Sequence, residues 1–314
     1  MTRPQVITVL RNTLTYTILA YCCWWVTSDR TAAEPKLPAG FEKYAATSAR
    51  IQPLYEKKRP NQPGDWLENN KEAGQTFAEY VQWRKQKPIR SEFTTIYVLP
   101  LGEFDHLQEK IVEQTVEFMQ YFFGVPVQQL PVQTLGNVPA EARRQKFDHE
   151  QLEAGWIQSK LILPKRPKDA VAVIGLVPND LWAGNLNFVF GQASLIERTG
   201  VWSLYRNGDP RLGEKGYRLC LLRTLKTAAH ETGHMLGIPH GIHYECCMNG
   251  CNNRDDSDRH PREFCPECQA KIWWTCGAEP LARTRLLLDF ATDQGLSEAH
   301  DFWEKQVEVI EGLQ

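Results

Sequence analysis

Residues 230–241, HETGHMLGIPHG, constrain this chain more than any other stretch, because three of its 8 histidines fall within eleven positions. His230 and His234 are four apart, so on a helix their side chains lie on one face, about a turn from each other. Two imidazole nitrogens so placed can hold one zinc ion, with Glu231 beside it as a general base. On a continuous helix His240 would sit about 80° round and about 15 Å along the axis, out of reach. Gly237 removes the obstacle, since glycine takes the left-handed conformation that ends helices. Pro239 discourages any continuation. The chain is therefore expected to turn back and bring His240 to the same ion. Three imidazoles leave a fourth position open, the arrangement of a catalytic rather than a structural metal. H-E-x-x-H alone arises by chance in about one chain of this length in a hundred, whereas adding the glycine and third histidine lowers that to roughly one in fifty thousand.

The cysteines form a second cluster. Of nine, seven fall between Cys220 and Cys276, with CPEC among them. A disulfide scaffold would spread its cysteines over the fold, so this clustering reads as a metal site. Cys220 and Cys276 read as small buried hydrophobes.

With 314 residues the chain can bury a substantial core. A net charge of −2 gives no reason to expect nucleic acid as a partner. Residues 1–33, with Arg3 and Arg11 bracketing a first region and the apolar run LTYTILAYCCWWV following it, read as a signal or anchor segment, which leaves the chain either exported or membrane-anchored, or cytoplasmic. Residues 34–92, rich in Pro, Lys, Glu and Gln, form an N-terminal extension with one helix candidate, AGQTFAEYVQWRKQ. A catalytic domain is expected over 93–290 and a helical tail over 291–314. FTTIYVLPLG, VPVQQLP and DAVAVIGLV read as strands, LQEKIVEQTVEFMQYFFG as a helix, and the polar stretch 141–161 as another helix. Residues 186–206 read as two strands joined around Thr199 and Gly200, and GYRLCLLRTLKTAAHETGHML as a long helix ending in the histidine motif. Alternating strands and helices imply an α/β domain.

H-E-x-x-H-x-x-G-x-x-H followed by a methionine turn is the metzincin signature, and Met248 in CCMNG stands where that methionine belongs. Downstream, Cys246, Met248, Cys265 and Cys268 fit the pattern of the archaemetzincin family. The segments WLENNKEAGQTFAEY, DLWAGNLNFVFGQASL, LLRTLKT and SDRHPREFCPEC also resemble archaemetzincins, especially the vertebrate type. The resemblance implies a zincin domain with a mixed twisted sheet, an active-site helix and a small C-terminal subdomain after Gly237. It implies a zinc metallopeptidase acting on peptides or proteins, with His230, His234 and His240 on the catalytic ion, Glu231 as base, and Met248 as a floor that does not ligate. The substrate would lie along an edge strand, FVFGQAS at 188–194, at Phe188, Val189, Phe190 and Gly191, although Gly191 and Gln192 can equally form a bend. A second, structural zinc is implied at cysteines, yet the family's first cysteine falls at position 241, where this chain has glycine. Cys246, Cys251, Cys265 and Cys268 are the expected set, with Cys247 and His243 as other sources of the fourth ligand. A monomer is expected. The competing reading is a zinc-stabilised binding module without turnover.

Overall fold

The computed structural model describes residues 41–84 and 92–312, and all of these fall in one compact unit. The segment read as a leader, 1–33, lies outside the described residues. The extension contributes three helices, α1 (Glu42–Ile51), α2 (Trp66–Asn69) and α3 (Phe77–Arg84). They are held by apolar and polar contacts alike. Tyr80 of α3 is fully buried and its hydroxyl donates to the Leu236 carbonyl at 2.8 Å. Asp65 pairs with Arg259 at 2.5 Å, and Arg59 with Glu245 at 3.1 Å.

The sheet is built from β1 (Thr95–Pro100), β2 (Val127–Gln129), β5 (Ala170–Val177), β7 (Gly191–Ser194) and β8 (Thr199–Ser203), in the order β2-β1-β5-β8-β7. All neighbours are parallel except β7, which runs antiparallel to β8 at the edge. Every residue of β1 and β5 is buried. Strands covered on both faces need unbroken apolar runs, which is why TIYVLP and AVAVIGLV lack alternation. Between β1 and β2 runs α4 (His106–Phe123). Its start is set by a capping box: Asp105 accepts from the Leu107 and Gln108 amides, and Gln108 accepts from the Asp105 amide.

The stretch 141–161 departs from the helix expected there. Its first half is a hairpin, β3 (Arg143–Lys146) and β4 (His149–Glu153), which joins β6 (Asp180–Trp182) in a separate three-stranded sheet. Phe147 and Asp148 form the turn with φ of 55° and 61°, the hand that matches strand twist. The polar residues that suggest a solvated helix are instead satisfied inside the sheet. Gln151, fully buried, donates to Asp180 Oδ2 at 2.7 Å and to the Asn187 carbonyl at 3.0 Å. Helix begins only at α5 (Ala154–Trp156) and widens into a π turn over Ile157–Ile162. The β7–β8 connection also differs: the turn is Leu195–Arg198, with Arg198 at φ 52°, and Thr199 and Gly200 belong to β8.

Behind the sheet lies α6 (Gly213–Met235), followed by α7 (Arg254–Arg259), α8 (Pro266–Cys276), α9 (Pro280–Asp293) and α10 (Ser297–Glu311). Trp202, Trp273, Trp274, Phe122, Phe123 and Phe264 are buried in one core, where Trp273 packs on Tyr44 and Trp274 on Phe41 and Tyr80. The domain boundary expected at residue 290 falls within α9. The last helix is tied to this core by Gln306, which donates to Gln269 Oε1 and Thr284 Oγ1, each at 3.1 Å.

Asp180 shows how a buried charge is held. Burial alone would raise its pKa, but Arg206, His149 and Gln151 all bond its carboxylate and keep it below the usual value. A carboxyl whose folded pKa is depressed stabilises the fold above its unfolded pKa, about 3.9, and loses that contribution as pH falls through the folded value. Asp180→Asn should therefore cost roughly 1.5–3 kcal/mol at pH 7. In urea unfolding the gap to the parent should narrow below about pH 4; a gap that widened on acidification would contradict this account.

Candidate active site

The last two turns of α6 carry His230 and His234 on one face, with ring centroids 4.6 Å apart and their Nε2 atoms 3.0 Å apart. Two nitrogens on one tetrahedral zinc at about 2.0–2.1 Å would be about 3.3 Å apart, so the pair fits such an ion closely. The helix then ends in a Schellman motif. Gly237 takes φ 82°, its amide donates to the His234 carbonyl at 2.8 Å, and the Ile238 amide donates to the Gly233 carbonyl at 3.0 Å. The reversal brings the His240 ring to 5.3 Å from His230 and 4.8 Å from His234. One ring nitrogen from each of the three lies within 4.8 Å of the others.

Each imidazole is pinned by its other nitrogen. His230 Nδ1 meets the Cys247 carbonyl at 2.8 Å, His234 Nδ1 the Ile238 carbonyl at 2.9 Å, and His240 Nδ1 the Glu72 carboxylate at 2.8 Å. With the outer nitrogen donating, the inner one offers its lone pair to a metal. Burial first, then the neighbouring imidazoles, holds His230 well below its ordinary pKa and His234 at about 3. Both rings are thus neutral, the form a metal needs.

Glu231 projects from the same two turns. Burial pushes its carboxyl up to about 7. Gly191, at the start of β7, faces it: a Cβ there would lie 3.3 Å from Glu231 Cγ. Of the four residues assigned to the substrate edge strand, only Gly191 lies in it. Val189 pairs with Leu181 of β6, while Phe188 and Phe190 lie under the guanidinium groups of Arg206 and Arg254, at 3.7 and 3.9 Å. The edge is Gly191–Ser194, the C-terminal part of the 188–194 stretch.

Met248 is fully buried beneath the helix, where a Cβ on Gly233 would come 2.6 Å from its sulfur. Its neighbours on the Cys246–Met248 turn reach two clusters at once. The Cys247 carbonyl holds His230, and Cys246 Sγ sits with Cys265 and Cys268, the three sulfurs within 4.8 Å of one another. Cys251 does not join them. Its thiol neighbours Ser257, Lys226 and Asp256, because after Met248 the chain runs on toward α7. Cys247 turns its sulfur to the Lys226 carbonyl at 3.5 Å, and His243 is exposed. At Gly241 a Cβ would lie 3.8 Å from Cys246 Cβ, so the position the family fills with cysteine does border the thiol group.

Sequence pattern does not single out Glu72, Trp66 or Asn249. Asn249 braces the loop by donating to the Gly241 and Tyr244 carbonyls and accepting from the Cys246 amide. Trp66 and Glu72 sit inside WLENNKEAGQTFAEY, where only the resemblance to a family segment hints at a role.

The family model for peptidase family M54 matches residues 93–273, which include the whole histidine and cysteine constellation. The chain belongs to that family. Archaemetzincin-2 of Homo sapiens is 28% identical over 309 residues, 83% of each chain. Archaemetzincin of Archaeoglobus fulgidus is 32% identical over 177 residues, covering 56% of this chain and 98% of its own. The crystal structure of that archaemetzincin aligns at 29% identity with 56% of this chain and 99% of its own, with a TM-score of 0.45. As an M54 member the chain is a zinc metallopeptidase.

Two glycines at the site separate tight from loose packing. A Cβ on Gly191 would meet Trp202 Cβ at 2.9 Å and the Val201 carbonyl at 3.1 Å, neither a flexible end, whereas on Gly241 the nearest contact is 3.6 Å. Gly191→Ala should cost about 1–3 kcal/mol in thermal unfolding as β7 shifts off β8. Gly241→Ala should be close to neutral by the same measurement, and the reverse order would contradict the packing described.

Proposed function

We propose that His230, His234 and His240 hold the catalytic zinc and that Glu231 is the general base of peptide-bond hydrolysis. The observation that carries this is the convergence of three imidazole nitrogens, each with its opposite nitrogen already donating to a fixed acceptor. A zinc ion held there supplies Lewis acidity that polarises the scissile carbonyl and acidifies a water. Glu231 takes the proton and returns it to the departing amine, the general acid–base role of a carboxyl beside the ion.

The substrate is an extended peptide paired with the outer edge of β7, Gly191–Ser194. Main-chain pairing gives affinity without reading side chains, and the absence of a side chain at Gly191 lets the peptide backbone approach Glu231. Met248 underlies the histidine face as an apolar support. A second zinc is held by the Cys246, Cys265 and Cys268 thiolates as a structural ion, with Cys251 left outside. Metal held at a structural site contributes folding free energy directly.

Glu231→Ala should keep the histidine-held ion, because the carboxylate is not a ligand, yet lose about 10²–10⁴-fold in peptide-library cleavage. Comparable turnover in the variant would take Glu231 out of the mechanism. For the thiol group, Cys268→Ser should lower metal content by one ion and lower the melting temperature, while Cys251→Ser should change neither. Elemental analysis of the purified chains checks both, and loss of an ion from Cys251→Ser would refute the three-thiol assignment.

A further inference from the structure

Two of the three histidines are fixed by the main chain of the domain that carries them. The third is not. His240 Nδ1 meets Glu72, which lies ahead of the matched segment 93–273, in the loop between α2 and α3. The same oxygen, Glu72 Oε1, accepts from Trp66 Nε1 at 2.8 Å. The Trp66 ring stands edge-on to the His240 ring, with centroids 5.3 Å apart and an interplanar angle of 76°. It also packs so tightly on Gly250 that a Cβ there would collide with the indole.

This loop is anchored on both sides of Glu72. Before it, Asn252 Nδ2 donates to the Gly64 carbonyl at 3.0 Å and Asp65 pairs with Arg259. After it, the buried Lys271 donates to the Gln75 carbonyl at 2.6 Å, and the Phe77 amide donates to the Glu267 carboxylate. A carboxylate held in this way is in place before any metal arrives, and little ordering entropy remains to be lost on binding.

We propose that Glu72 is a positioning residue for the zinc ligand His240, so that the N-terminal extension is a working part of the metal centre. The inference rests on the assignment of His230, His234 and His240 as zinc ligands. Glu72 itself does not ligate. By accepting the Nδ1 proton it fixes the tautomer that turns Nε2 inward, and its negative charge raises the basicity of that nitrogen. Trp66 fixes Glu72 in turn, through its indole N–H.

The test is zinc affinity of the purified full chain by chelator competition, comparing the parent with Glu72→Gln, Trp66→Phe and His240→Ala, alongside melting of each metal-free chain. Glu72→Gln should weaken the histidine-held ion about 10–100-fold, the usual effect of removing such a partner, with the melting temperature of the metal-free chain unchanged. Trp66→Phe keeps an aromatic ring on Gly250 and removes only the indole donor, so it should weaken zinc in the same direction by less. If Glu72→Gln fails to fold, Trp66→Phe decides alone. Parent-like affinity in both variants, with His240→Ala weakened, overturns the role of Glu72 and leaves the histidine assignment standing. Parent-like affinity in His240→Ala as well overturns the histidine assignment and this inference with it.

Discussion

The reversal of the chain at Gly237 is the constraint on which the site depends. A helix can present two imidazoles four residues apart but never a third ten residues from the first. The left-handed glycine, with its two main-chain hydrogen bonds, converts that distance into convergence. The rest of the site inherits its position from that turn. His240 comes back to the helix face, and the loop after it passes under α6 far enough for Met248 to fill the space against Gly233. Glu231 is left pointing at the edge strand.

The turn Cys246–Cys247–Met248 joins two centres in three residues. One sulfur belongs to the thiol group, one carbonyl steadies His230, and one thioether underlies the helix. Any displacement of the thiol group would therefore be felt at His230 through a single residue. On the proposed assignment, an ion at the thiol group would act on one at the histidines through this turn, without the two sharing a ligand.

The histidine cluster is legible in the sequence because its geometry is local: eleven residues specify a helix turn, a stop and a return. The buried strands β1 and β5 are legible for a similar reason, as unbroken apolar runs. The hairpin over 143–153 is not. Its polar residues are satisfied by Asp180 and Asn187, some thirty residues further on, and polarity along a segment does not say where its partners are. Cys251 is misplaced by sequence reasoning on the same ground, since nearness to Met248 along the chain does not show that the backbone leaves toward Ser257 and Lys226. Glu72 shows the limit most clearly, being 168 residues from the imidazole it touches.

The central claim is that three imidazoles meet at one metal ion. Anomalous diffraction at the zinc edge, from crystals of the full chain grown with zinc, tests it directly. The account predicts a peak about 2.0–2.1 Å from an inner ring nitrogen of each of His230, His234 and His240. Density for zinc elsewhere in the molecule, with none between those three nitrogens, would contradict it.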